Sequence, residues 1–342
     1  MRVSEYALGA GNFGTRWGTG ADPDTSRAIL DRFAEAGGTF IDTANSYQFG
    51  ESEEILGALL GKNRDEFVLA TKFTNPVTPD ASILAKGNSR KTMTRTVEDS
   101  LRRLDTDYLD LLWVHFPDSV TPTEEIMHGL DALATSGKIL HAGFSNFPAW
   151  RVSRAVTYGE LRGIPWLVAI QTEYSLAERT ADRDLFPMAE ALGLGTTIWS
   201  PLAGGFLTGK YRTANGGGRA DTALKHLLHN EQDAHRKALL DTVLAVADEQ
   251  GATAAEVSMA WLREHSARLA TTSIPIIGPR TVAQLDDYLG AFDVTLTPGQ
   301  FERLTAASDV PLGQPHERGA TQLDTLLGPD RARFEAASGP VA

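Results

Sequence analysis

The sequence predicts an α/β chain closed into a single (β/α)8 TIM barrel. Three observations carry that expectation. Short apolar runs alternate with amphipathic stretches along almost the whole chain. Most of the runs lack polar alternation, as strands buried on both faces do. No linker interrupts the alternation, so one closed parallel barrel accommodates all of it. An open doubly wound sheet uses the same alternation and is the alternative architecture.

The predicted strands, in order, are YALGA (6–10), TFI (39–41), FVLAT (67–71), LDLLWV (109–114), ILHAGF (139–144), LVAI (167–170), GTTIW (195–199) and SIPII (273–277). Helical patterns lie between them. Ile29, Leu30 and Phe33 end at Gly37-Gly38. Met93, Val97, Leu101 and Leu104 share one face. Ile126, Leu130 and Leu133 end at Gly137. A glycine just past the last apolar residue is a common helix stop. Further helices are expected at 51–60, 148–159, 182–192, 235–250, 253–265 and 281–290. Residues 1–310 form the barrel in this reading. The polar stretch 212–234, with Gly216-Gly217-Gly218, fits neither pattern and is expected to be a long mobile loop, a common form for a functional lid. The tail 311–342 is expected to be loosely ordered or to fold over one barrel end.

Several strands run into a polar residue. TFI meets Asp42, FVLAT meets Lys72 and LDLLWV meets His115. ILHAGF meets Ser145-Asn146, LVAI meets Gln171 and GTTIW meets Ser200. Barrel enzymes assemble their sites from the C-terminal ends of strands. A polar residue can merely end a strand, but Asp, Lys and His directly after apolar runs need partners if buried.

Tyr47 follows Asp42 by five residues. A phenol with a pKa near 10 is a poor acid at neutral pH. A neighbouring ammonium about 4 Å away, at an effective dielectric of about 20, would stabilise its phenolate by roughly 4 kcal/mol. Lys72 is the candidate cation, Asp42 its counter-charge, and His115 a hydrogen-bond donor to a carbonyl oxygen. Such a pocket polarises C=O and protonates the growing alkoxide. The hydride must come from a cofactor, because no side chain donates one. Asn146 and Gln171 suit an amide such as a nicotinamide carboxamide, and Trp199 suits stacking on a flat ring. Gly204, Gly205 and Gly209 admit a pyrophosphate beside the backbone, with Lys210 adding charge. Trp17, Phe49, Phe116, Phe147 and Phe206 lie near the predicted mouth by register and would form an apolar substrate pocket. Each reads as readily as core packing, as does Trp199, and Arg280 as a surface charge at a helix start.

Two motifs are set aside. Gly9, Gly11 and Gly14 spell G-x-G-x-x-G, but no helix pattern begins there, as a dinucleotide fingerprint requires. Gly204 to Lys210 spells G-x-x-x-x-G-K, but Tyr211 replaces the magnesium-binding Ser or Thr. The 342 residues contain no cysteine, which excludes disulfides, thiolate metal sites and a cysteine nucleophile. Neither an H-x-H pair nor an H-E-x-x-H helix supplies a metal site. A net charge of −12 with no long basic run argues against nucleic acid and anionic membranes as partners. No secretory pattern or membrane span is read, so the cytoplasm is the expected location. No feature assigns an oligomeric state.

At these residues the chain resembles the aldo-keto reductase family, from LGAGNFG (8–14) to about Ala291. The strongest segments are FIDTANSY (40–47), GESEEILG (50–57), ATKF (70–73), SLRRLDTDYLDLLWVH (100–115), GKILHAGFSN (137–146), QTEYSL (171–176) and IWSPLAGGFLTGKY (198–211). The resemblance implies a catalytic tetrad of Asp42, Tyr47, Lys72 and His115, with Tyr47 as proton donor to an aldehyde or ketone. It implies nicotinamide contacts from Ser145, Asn146 and Gln171, with Trp199 stacking where tyrosine is common. Ser200, Leu202, Gly204, Leu207 and Lys210 would line the pyrophosphate, and 212–234 would cover the cofactor. Gly278, Arg280 and Gln284 map to the segment that holds the adenine ribose phosphate. Arg280 favours NADP(H) over NAD(H), because a guanidinium suits a phosphate. Tyr288 stands where the family often has an adenine-contacting asparagine. IWSPLAGG also resembles the potassium-channel β subunits of the same fold, which implies a rival role as an NADP(H)-binding sensor with very slow turnover.

Overall fold

A computed structural model describes residues 1–164, 167–212, 231 and 233–328. Eight parallel strands close into one barrel in sequence order: β1 (Ala7–Gly9), β2 (Phe40–Asp42), β3 (Val68–Phe73), β4 (Leu109–Val114), β5 (Ile139–Ser145), β6 (Leu167–Glu173), β7 (Gly195–Trp199) and β8 (Ser273–Ile277). β1 pairs with both β2 and β8, which removes every open edge. The barrel, not the open sheet, is therefore the fold.

The helices are α1 (Pro23–Glu35), α2 (Glu51–Leu60), α3 (Arg90–Leu104), α4 (Thr123–Thr135), α5 (Ala149–Arg162), α6 (Leu185–Ala191), α7 (Ala234–Gln250), α8 (Ala254–Ser266), α9 (Val282–Gly290), α10 (Pro298–Ala307) and α11 (His316–Leu327). Local sequence sets their starts. Asp22 caps α1 by accepting from the Thr25 amide at 2.8 Å, with Pro23 at the first helical position. Thr253 and Glu256 form a reciprocal capping box on α8. Helices α1 to α10 bury one face on the outside of the barrel, where Ile29, Phe33, Leu56, Met93, Leu101, Ile126 and Val152 are buried in one continuous core.

A second core fills the barrel. Phe40, Ala70, Leu111, Trp113, Ala169, Ile274 and Ile276 project inward from alternate strand positions. Trp113 is fully buried there. Its indole fits because β5 carries Gly143: a Cβ on that residue would lie 2.3 Å from the Trp113 ring. The polar residues of the C-terminal strand ends continue the same inward-facing positions, one layer above this plug.

Four strands extend past the expected apolar runs: Asp42, Lys72, Ser145 and Gln171 lie inside β2, β3, β5 and β6, because the ladder hydrogen bonds continue. α10, between the expected barrel elements and the tail, was not anticipated. α11 gives the start of the tail a helix. The expected loop at 212–234 and the end of the tail, 329–342, lie almost entirely and entirely, respectively, outside the described residues. Among the described residues no helix is long and apolar enough to cross a membrane.

Candidate active site

Asp42 is the last residue of β2 and faces inward like Phe40, two positions earlier. Lys72 reaches the same place from β3. Its side chain is fully buried and bonds the Asp42 carboxylate through Oδ2. Its Nζ also donates to the Thr43 carbonyl at 2.7 Å. These two acceptors fix the head group beside Tyr47. Burial alone would lower the lysine pKa. The charge of Asp42, then Tyr47, outweighs it, so the ammonium is held above its usual value.

Tyr47 opens a 3-10 turn, Tyr47–Gly50, which the chain reaches through residues 43–46 after β2. The Lys72 Nζ lies 4.8 Å from the centre of its ring. Gln48 and Phe49 in this turn have positive φ, 51° and 55°, a left-handed conformation that costs non-glycine residues energy. The buried Gln48 side chain secures the turn. It accepts from the Trp17 amide at 2.8 Å and donates to the Thr19 carbonyl at 3.0 Å. Gln48 is a site residue that no motif in the sequence marked; it ties the β1–α1 loop to Tyr47.

His115 follows β4 and meets Tyr47 edge to face, with ring centres 6.0 Å apart. Burial, and secondarily the charge of Lys72, hold its pKa well below the usual imidazole value. It is therefore neutral at physiological pH. Its Nδ1 is buried with no hydrogen-bond partner among the described residues.

Trp17 approaches both Tyr47 and Phe49 edge-on, at 6.1 and 6.2 Å between ring centres. Phe116 stacks on His115 at 4.6 Å and is 40% exposed. Trp17, Phe49 and Phe116 thus ring the acid-base pair with aromatic surface. Phe147 does not belong with them. It is buried against Phe144 at 4.3 Å, beneath the Arg151 guanidinium, and is core packing between β5 and α5. Phe206 is likewise buried in the outer core.

The amide side chains are already engaged. Gln171 Nε2 donates to Asp42 Oδ1 at 3.0 Å. Asn146, held at a positive φ of 60°, donates from Nδ2 to the His115 carbonyl at 3.1 Å and to Ser145 Oγ at 3.0 Å. Its Oδ1 accepts from the Trp199 indole nitrogen at 3.0 Å. This bond tethers one edge of Trp199, which is half-buried.

After β7 the backbone makes a run of left-handed residues: Ser200, Ala203, Gly204, Gly205 and Gly209. Ser200 Oγ accepts from the Gly204 amide at 3.0 Å. A Cβ on Gly205 would lie 2.7 Å from Lys210 Nζ, so only glycine lets that ammonium lie against the backbone. The amides of Ala203, Gly204, Gly205, Leu207 and Gly209 are bonded within the run, so what it offers an anionic phosphate chain is the Lys210 charge beside a glycine backbone that allows close approach. Leu202 and Leu207 pack their side chains into the core instead, and the Leu207 amide is spent on the Leu202 carbonyl. Any contact they make with a phosphate is through neighbouring backbone.

Gly278, Arg280 and Gln284 gather at the β8 end. Asn12 Nδ2 donates to the Gly278 carbonyl at 2.7 Å. Arg280 reaches Thr19 Oγ1 at 3.4 Å, and its amide donates to Gln284 Oε1 at 2.9 Å. The G-x-G-x-x-G segment lies beside this cluster. It makes a single 3-10 turn, Ala10–Asn12, and no α-helix begins before Pro23. Gly11 instead faces the Tyr47 ring, which a Cβ there would meet at an ordinary contact distance of 3.5 Å.

Comparison with known proteins gives the family. The family model described as Aldo/keto reductase family matches residues 6–309. The chain is 37% identical over 309 residues to the uncharacterized oxidoreductase YrpG of Bacillus subtilis (strain 168), covering 86% of this chain and 89% of that protein. It is 36% identical over 327 residues to an aryl-alcohol dehydrogenase [NADP(+)] of Phanerodontia chrysosporium, covering 89% and 82%. It is 35% identical over 354 residues to norsolorinic acid reductase B of Dothistroma septosporum (strain NZE10 / CBS 128990), covering 99% and 86%. The chain belongs to the aldo/keto reductase family. It is an oxidoreductase of a family that generally uses nicotinamide cofactors.

Proposed function

We propose that this protein reduces aldehydes and ketones with NADPH, reversibly, with Tyr47 as the general acid. The observation that carries this reading is the buried Lys72, whose ammonium bonds Asp42 and the Thr43 carbonyl and stands 4.8 Å from the centre of the Tyr47 ring. When bound, the nicotinamide supplies the hydride. Every other requirement falls on side chains. The Lys72 charge stabilises the phenolate left when Tyr47 gives up its proton. Asp42 holds that charge in place. The neutral imidazole of His115 offers an N–H to the carbonyl oxygen without competing as an acid.

Three further readings rest on the same site. Ser145, Asn146, Gln171 and Trp199 hold the nicotinamide end, Ser200, Gly204 and Lys210 the pyrophosphate, and Gly278, Arg280 and Gln284 the adenine end. Arg280 makes NADPH the preferred cofactor and NADH the weaker one. The aromatic rim of Trp17, Phe49 and Phe116 selects carbonyl groups attached to a flat ring, by stacking and by shape. The named activity of the aryl-alcohol dehydrogenase relative supports that substrate class.

Fluorescence titration with NADPH and then NADH, followed by NADPH oxidation with aromatic and aliphatic aldehydes and ketones, tests this. Tight NADPH binding with turnover that is fastest on aromatic carbonyls is the expected result. Tight binding with no turnover on any carbonyl would favour an NADP(H) sensor instead.

A further inference from the structure

β2 and β6 stand on opposite sides of the eight-stranded barrel, four strands apart in either direction. The Gln171 side chain crosses that interior and donates from Nε2 to Asp42 Oδ1 at 3.0 Å. The other carboxylate oxygen, Oδ2, holds Lys72. Both oxygens of Asp42 are therefore occupied, one by each side of the barrel. Gln171 is buried, and its carbonyl oxygen Oε1 makes no bond within the described residues while not being sealed off as a buried unpaired atom.

We infer that Gln171 is a positioning residue that acts through Asp42 and Lys72 on the acidity of Tyr47, and that it ties this relay to the cofactor's carboxamide through Oε1. The inference rests on the proposed reductase reading. It differs from a plain cofactor contact in what it requires of Nε2. A neutral donor on Oδ1 draws charge from the carboxylate and leaves more of the ammonium's field for the Tyr47 phenolate. Without that donor Asp42 holds Lys72 more closely and opposes the phenolate more strongly, so Tyr47 becomes the weaker acid. The titratable groups around this pair are Asp42 on β2, Tyr47 in the turn after it, Lys72 on β3, His115 after β4 and Glu173, two residues on along the same face of β6.

The test uses the full chain with NADPH and benzaldehyde as probes, and compares wild type, Gln171→Met and Gln171→Glu. NADPH affinity is read by intrinsic fluorescence quenching, and kcat at saturating NADPH across about pH 5.5 to 9. In Gln171→Met, kcat is expected to fall about threefold, the basic limb of the profile to move up by about half a pH unit, and the NADPH Kd to rise about fivefold. Gln171→Glu keeps the shape. Protonated, it donates to Asp42 as glutamine does; ionised, it repels it. Its kcat relative to wild type, and its relative NADPH affinity, should each be at least about fivefold higher at pH 5.5 than at pH 8. A raised Kd with unchanged kcat and pH profile in Gln171→Met would reduce Gln171 to a cofactor contact and overturn the inference. So would a Gln171→Glu ratio that is flat with pH. Tyr47→Phe in the same series separates the two levels: full turnover there overturns the reductase reading itself, whereas lost turnover beside a flat Gln171→Glu ratio overturns only the role of Gln171.

Discussion

Replacing Lys72 by methionine keeps an unbranched stem of similar volume and removes the charge beneath Tyr47. The Nζ stands 4.8 Å from the centre of the phenol ring. At an effective dielectric of about 20, the attraction between that ammonium and a phenolate is about 3.5 kcal/mol. That corresponds to about 2.5 pK units, or a factor of about 300 in the equilibrium for releasing the proton. Asp42 neutralises part of the field, so the expected loss of kcat lies between about 10-fold and 300-fold. The variant also leaves a buried carboxylate without its cation, and such an orphan destabilises a protein by about 3–5 kcal/mol. Asp42→Asn in the same background removes the orphan and should recover much of the stability while recovering none of the rate. Stopped NADPH oxidation at several pH values, with urea unfolding of each variant, measures both effects. A Lys72→Met enzyme within about threefold of wild-type kcat would refute the electrostatic role assigned to this lysine.

Two further substitutions test the surroundings. An unfolded imidazole takes up a proton below about pH 6.5, whereas the buried His115 does so only well below that. The unfolded chain then binds more protons. The stability contributed by neutral His115 is complete above about pH 6.5 and falls by up to about 1.4 kcal/mol per pH unit as pH drops, until the folded imidazole itself titrates. His115→Asn should lack this slope, and equal urea-derived slopes between pH 7.5 and 5.5 in both proteins would contradict the neutral state. Gly143→Ala would place a methyl 2.3 Å from the Trp113 ring and 2.8 Å from the Ala169 carbonyl. Overpacking of that kind costs about 1–3 kcal/mol or more, so the melting temperature should fall by several degrees; an unchanged melting temperature would mean that the barrel plug is loosely packed.

The strands and the residues at their ends were legible because a closed parallel barrel imposes two strong patterns. Its strands are buried on both faces, so they read as unbroken apolar runs. Its site is built where those runs stop, so Asp42, Lys72 and His115 stand out as ionisable residues against apolar sequence. Side-chain direction is less legible. Phe147 follows β5 as closely as Phe116 follows β4, yet one turns into the core and the other to the mouth. The cross-barrel bond from Gln171 to Asp42 joins residues 129 positions apart and depends on closure, which local pattern does not encode. α10 was readable in part: Thr297, Pro298 and Gln300 make a capping box with proline at the first turn. Its buried face holds only Phe301 and Leu304, too few apolar residues for a periodic signal.

The central claim is that Tyr47 gives the proton while Lys72, Asp42 and His115 prepare it to do so. Tyr47→Phe removes the hydroxyl and leaves the ring, its edge contacts with Trp17 and His115 and the turn around it in place. Single-turnover NADPH oxidation with an aromatic aldehyde, beside an NADPH titration of the same variant, is the most direct measurement. Loss of at least about 99% of turnover, with NADPH affinity within a few-fold of wild type, is the predicted result, since Tyr47 acts chiefly in the transition state. Turnover equal to wild type in Tyr47→Phe would contradict the account.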